Sequence, residues 1–90
     1  MDEENQQVFE EMLNASFDNV MTHFRETFPG KLPKYYRLVS FFIAGFDTTT
    51  IVMIIQDYNK HNVHVEKSRL KAQINKLDSP YREQFEQLIL

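Results

Sequence analysis

Residues 32–77 read LPKYYRLVSFFIAGFDTTTIVMIIQDYNKHNVHVEKSRLKAQINKL, and this stretch decides the fold. It carries a long apolar run, a Gly-Phe-Asp break, and then half of the Lys and Arg residues of the chain. We read it as two short apolar helices about a sharp turn at Gly45 to Asp47, followed by a longer basic helix shaped to lie in a DNA groove. That is a helix-turn-helix arrangement. Leu32-Pro33 opens the first helix, with Pro at the first helical position, where its missing N–H costs nothing. Tyr35, Leu38, Val39, Phe42 and Ile43 are expected to face inward, and Gly45 follows Ala44 as a residue able to take positive φ. Asp47 then stands where an N-cap belongs, its carboxylate placed to accept the N–H of Thr49 or Thr50. The next helix is expected from Thr48 to about Gln56, burying Ile51, Ile54 and Ile55.

Local propensity offers an alternative. TTTIVMII is β-branched, and LVSFFIAGFDTTTIVMIIQ can be drawn as a hairpin around Gly45 to Asp47. Neither run alternates apolar with polar residues, and two isolated strands make a marginal sheet, so the helices are preferred.

After the polar turn from Asp57 to Lys60, Asn59 or Asn62 can cap the basic helix. Val63, Leu70, Ile74 and Leu77 fall in one stripe at steps of seven, four and three, which marks the face that packs. The opposite face presents His61, His64, Ser68, Lys71 and Asn75, flanked by Val65 and Ala72, with Lys67 and Arg69 close by. Donors and small apolar groups in a row suit base edges, and the flanking cations suit phosphates. Glu66 is the acid in this segment, and its carboxylate would oppose phosphate if it pointed outward.

Working outward, apolar residues recur at Phe9, Leu13, Phe17, Val20, Met21, Phe24 and Phe28. This predicts one amphipathic helix from Glu4 to Phe28, ended by Pro29-Gly30. Ser79-Pro80 predicts a last helix with Tyr81, Phe85, Leu88 and Ile89 on its apolar side, which either closes the core or meets a second copy. The expected architecture is an all-α helix-turn-helix bundle of about five helices with a long N-terminal amphipathic helix. It forms one domain over 1–90, with the N-terminal helix in 1–28, the core in 32–77 and the C-terminal helix in 79–90.

Composition supports a folded unit: 42% hydrophobic, 26% charged, two Gly and three Pro in 90 residues. The absence of cysteine removes disulfides, thiolate zinc sites and thiol nucleophiles. No apolar run reaches the roughly 18 to 20 residues of a membrane span, and the start is acidic where a signal peptide is basic. A cytoplasmic segment without membrane contact is expected. The net charge of −3 hides a strong polarity. Residues 1–20 carry six acids and no base, whereas residues 60–76 carry five Lys or Arg against one acid. His61 and His64 stand at i and i+3, a spacing that can hold a metal, yet no third ligand is evident. His23 lies within the aromatic stripe and reads as a core or rim histidine. With no paired carboxylates, phosphate loop or nucleophile arrangement in view, we expect no enzyme, no catalytic residue, no metal, no cofactor and no small-molecule substrate.

From Leu32 to Ile74 the chain resembles the LuxR/GerE type of DNA-binding domain. The residues that carry the resemblance are Leu32-Pro33, Ala44-Gly45-Phe46, Ile51-Val52-Met53-Ile54-Ile55, then Asn59, Asn62 and Val63, with Leu70 and Ile74 closing. Within that group it is most similar to C-terminal domains of Bacteroidetes regulators in which tetratricopeptide repeats and a membrane helix come first. Phe28-Pro29-Gly30-Lys31-Leu32-Pro33, Tyr35 to Phe41, Lys67 to Lys71 and Ser79-Pro80 carry that closer match. The resemblance implies a bundle whose fourth helix enters the major groove of double-stranded DNA. It places His64, Val65 and Ser68 at base edges and Lys67, Arg69 and Lys71 at phosphates, and it implies the cytoplasmic C-terminal part of a larger membrane-anchored protein. The function expected is a DNA-binding transcriptional regulatory domain, with a homodimer through the C-terminal or the N-terminal helix. The alternative is a protein-interaction or dimerisation domain of the same fold with weak or no DNA binding, suggested by the acidic, aromatic-rich start and the apolar end.

Overall fold

The run from Leu38 to Ile43 demands cover on every side, and the computed structural model, which describes residues 2–90, shows how the chain provides it. Helix α3 (Pro33–Ala44) buries Tyr36 and every residue from Leu38 to Ile43. Around it the other helices are α1 (Glu3–Ser16), α2 (Val20–Thr27), α4 (Thr48–Ile54), α5 (Lys60–Asn75) and α6 (Arg82–Ile89). The described residues are all-α, with no strand, and the hairpin alternative falls away.

The stop signals around α3 work as the sequence suggests. Pro33 is its first residue, and Gly45 takes φ 83° just past its last. The Gly45 N–H reaches Phe42 O at 3.0 Å and the Phe46 N–H reaches Phe41 O at 3.1 Å, a Schellman pair of bonds. Its usual hydrophobic closure is present too, the Phe41 and Phe46 rings stacking at 5.2 Å. Asp47 then caps α4, accepting the Thr50 N–H at 2.8 Å. Thr50 holds the Asp47 carboxyl below its ordinary range by that bond. Helix α4 ends at Ile54, two residues short of the expected Gln56. The chain leaves the helix at Ile55 with extended backbone, which turns Ile55 inward and leaves Ile54 42% exposed, against the expectation that it is buried.

The N-terminal region departs most from expectation. The single helix from Glu4 to Phe28 is two, giving six helices among the described residues instead of about five. An unbroken helix of that span would measure roughly 37 Å at 1.5 Å per residue, longer than the 33 Å greatest extent of the molecule. The chain reverses at Asp18 and Asn19, both left-handed with φ 53° and 58°. Asp and Asn tolerate that region better than other side chains. The residue that caps α2 comes from the helix before it: Asn14 Oδ1 accepts the N–H groups of Met21 at 2.8 Å and Thr22 at 3.3 Å. From α6, Gln84 Nε2 donates to Phe17 O and Asp18 O at 2.8 and 3.0 Å, clasping the reversal. Those carbonyls only accept, so the Gln84 amide oxygen faces His23 Nδ1 at 2.8 Å and fixes the ring proton on Nδ1. His23 also stacks on Tyr81 at 3.9 Å. It is a clasp at the rim of the core.

The last helix begins at Arg82 and not at Pro80, because Ser79 to Tyr81 form a turn in which Ser79 O accepts the Arg82 N–H at 3.2 Å. Phe85 and Ile89 of α6 are fully enclosed and pack toward α2, α3 and α5, so this helix closes the core. No described helix is long and apolar enough to cross a membrane.

Asn14→Ala leaves the first N–H groups of α2 without their acceptor. We expect a loss of about 1 to 2 kcal/mol, the range for a lost helix cap, read as a lower urea midpoint with unchanged slope. A midpoint equal to that of the parent would show that the reversal at Asp18 and Asn19 holds without Asn14.

Candidate nucleic-acid interface

Helix α5 starts from a reciprocal cap. Asn59 Oδ1 accepts the Asn62 N–H at 2.8 Å, and Asn62 Oδ1 accepts the Asn59 N–H at 3.4 Å, so both residues named as candidate caps take part. Its apolar stripe is narrow: Val63, Leu70 and Ile74 are buried, and Leu77, just past the helix, is half-buried. Short α4 packs against α5 from one side and α6 from another. Most of the helix circumference is therefore left to solvent.

The residues singled out in the sequence lie on that free surface. His61, His64, Lys67, Ser68, Arg69 and Lys71 are exposed, and Val65 is half-buried. At helical spacing, His61, Val65, Ser68 and Ala72 form one row, with His64 and Asn75 alongside it. Lys60, Lys67 and Lys71 run along one edge of that row, and Arg69 and Lys76 along the other. The candidate residues thus share one helix face with cations on both flanks.

Two of the cations are held. The Lys67 ammonium sits 5.3 Å from the centre of the Phe42 ring, which leans this side chain toward α3. Arg69 Nη1 donates to Glu66 Oε1 at 3.2 Å. Glu66, the acid whose direction decides the electrostatics, turns aside: its side chain is 27% exposed. Its charge acts on two tyrosines that lie between α3 and the turn before α5. Burial first, and then Glu66, push Tyr35 up to about 12. Burial, Glu66 and Asp57 raise Tyr58 as well. The carboxylate is thus bound to Arg69 on one flank of the row, and it also acts on Tyr35 and Tyr58. Among the described residues no group of three or more His, Asp or Glu is arranged to hold a metal ion, so His61 and His64 gain no third ligand.

A second polar arrangement, with no counterpart in the sequence reading, lies under α1. Glu10 is only 7% exposed and takes Arg25 through two bonds, Nε to Oε1 at 2.7 Å and Nη2 to Oε2 at 2.8 Å. The guanidinium rests 4.1 Å from the centre of the Tyr36 ring. Those bonds to Glu10 raise the Arg25 pKa against the opposing effect of burial. Gln6 Nε2 donates to Glu10 Oε2 at 2.8 Å and to Ser40 Oγ at 3.2 Å, and Ser40 Oγ donates to Arg37 O at 2.6 Å. The signal for this cluster was weak but present: Gln6 and Glu10 are one turn apart on the face that also carries Leu13. Their partners, 15 to 34 residues away, have no local signature.

No family model, curated protein or solved structure matches this chain.

The raised Tyr35 gives a pH signature for the contact between α3 and α5. Because the folded form favours the neutral phenol, the stability this group contributes is complete below the ordinary tyrosine value of about 10. It is lost as pH rises from there toward about 12. In an absorbance titration of tyrosinate, Tyr35→Phe is expected to remove the latest-ionising component. A titration unchanged apart from its amplitude would show that Tyr35 is not held by burial and Glu66.

Proposed function

We propose that this domain binds double-stranded DNA with α5 in the major groove, as a regulatory module of helix-turn-helix type. The observation that carries the reading is the exposed α5 face, hydrogen-bonding along its centre and cationic along both edges, with Glu66 paired to Arg69 on one of them. His61, His64, Val65 and Ser68 are the candidates for base edges; Lys67, Arg69 and Lys71 serve phosphates, and the edge position of Lys60 and Lys76 adds them to that set. Helix α4 with the turn to Asn59 braces α5, in the order scaffold helix, turn, recognition helix that the LuxR/GerE resemblance implies.

The reading has a quantitative consequence. If about four of the edge cations each replace a condensed counterion, log K falls against log salt with a slope of roughly −3 to −4. Affinity for any duplex is then modest and salt-sensitive, and sequence-specific binding calls for two copies, since one helix reads few base pairs.

A second reading is favoured by a different observation. Met12 and Met53 are 62% and 75% exposed, and Val8 is 51% exposed, all outside α5. Apolar side chains on an acidic α1 and on the outer face of α4 suit a protein-interaction or dimerisation domain. Light scattering tests it: a strict monomer at high concentration in the absence of duplex removes the support for self-association.

For the DNA reading, fluorescence anisotropy with a short duplex at low salt is the test. Lys67→Glu combined with Lys71→Glu is expected to weaken binding by about tenfold or more and to flatten the salt slope, with helical circular dichroism unchanged. No binding by the parent chain, or binding indifferent to the double substitution, would contradict the proposal.

A further inference from the structure

Helix α4 carries no charged residue from Thr48 to Ile54, and the chain stays uncharged as far as Gln56. Every other helix carries Asp, Glu, Lys or Arg. Ile51 is the one fully buried residue of α4. Thr49 and Met53, a turn apart, stand on the side away from Ile51, with Ile54 at the edge of that side. Met53 is 75% exposed, more than any other large apolar residue described. The centre of a protein interface is typically poor in charge and rich in Met, and the outer face of α4 has that composition.

The surrounding charges decide which partner fits. A twofold contact sets a patch against its own copy. On α1, the exposed Val8 and Met12 have the exposed acids Glu4 and Glu11 beside them, so a copy would meet like charge, which costs affinity. The α4 face brings no such conflict, because it is neutral and therefore matches itself. A basic or acidic partner would find no countercharge on it. The size of the face sets the strength. Seven helical residues measure about 10 Å at 1.5 Å per residue, so two such faces bury well under the roughly 800 Å² per partner of a standard interface. The contact is accordingly weak, with a dissociation constant on the order of 1 mM. Helix α4 packs against α5, so a pair formed there lies beside the candidate DNA face.

We propose that the outer face of α4 is a self-association surface, on which a second copy of this chain docks about a twofold axis, Thr49 and Met53 of one copy against those of the other. The inference rests on the self-association reading above and gives it one surface, which is neither of the terminal helices that the sequence pointed to. On a duplex with room for two domains the same contact acts at a raised local concentration.

The test is a dilution series of the 15N-labelled full chain without DNA, from about 1 mM downward, followed by amide shifts and by sedimentation. We expect concentration-dependent shifts that are largest at Thr49, Met53 and Ile54. Met53→Glu sets like charges across the axis and is expected to weaken association by about tenfold or more. Because Met53 is exposed, helical circular dichroism stays as in the parent. Met53→Lys is expected to act in the same way, and mixing the two variants is expected to restore association, because opposite charges then meet. Met12→Glu on α1 is expected to change nothing. Association with its shifts centred on another helix overturns the assignment to α4 and leaves self-association standing, whereas a monomer throughout the series overturns both. A mixture that associates no better than either variant alone overturns the twofold contact.

Discussion

Helix α3 is buried on every side from Leu38 to Ile43, and the arrangement of the helices around it follows from that. A helical segment buried on all sides has to be enclosed, and α1, α2 and α6 supply the cover. Phe24 of α2 meets Tyr36 edge to face with ring centres 6.2 Å apart, Phe9 of α1 lies 5.6 Å from Phe41, and α6 packs from a further side. Each large apolar side chain removed from water in this way contributes about 1.5 to 3 kcal/mol. The reversals at Asp18-Asn19 and at Gly45 exist because straight continuations would carry apolar stripes past the core instead of around it.

Enclosure brings one polar residue inside. Ser40 is wholly buried in the middle of α3. Its hydroxyl is served by Arg37 O and by Gln6, which draws Glu10 and, through it, Arg25 into contact. The chain thereby joins α1, α2 and α3 by directional bonds as well as by packing. Removing one member would strand the others, because an unpaired buried group costs more than a hydrogen bond gains. The same chain leaves Gln6 Oε1 unserved, and so the device that accommodates Ser40 also creates the acceptor beneath α1. On the far element, α5 needs only Val63, Leu70 and Ile74 to hold its place. A helix anchored by so thin a stripe has most of its surface free for other uses.

Local chemistry made much of this legible. Pro33, Gly45, Asp47 and Asn59 act at the ends where their backbone preferences place them, and the spacing of Val63, Leu70 and Ile74 gave the buried edge of α5 and hence its exposed row. What stayed hidden depends on distant partners. Phe17 continues the aromatic stripe across the reversal, so the periodicity masked a break that Asp18-Asn19 and Asn14 jointly produce. Whether Glu66 faced phosphate or protein was open, because the answer lies in Tyr35 and Tyr58 and in how α3 meets α5. Glu10 and Arg25, fifteen residues apart on different helices, had nothing in the linear chain to pair them.

The central claim is that α5, held by one edge, offers the opposite edge to DNA. Amide chemical-shift mapping with a short random-sequence duplex at low salt examines this most directly. The account predicts the largest changes at His61, His64, Val65, Ser68 and Lys71, with α1 unaffected. Changes centred on α1 or on the outer face of α4, or none while the duplex is bound, would contradict it.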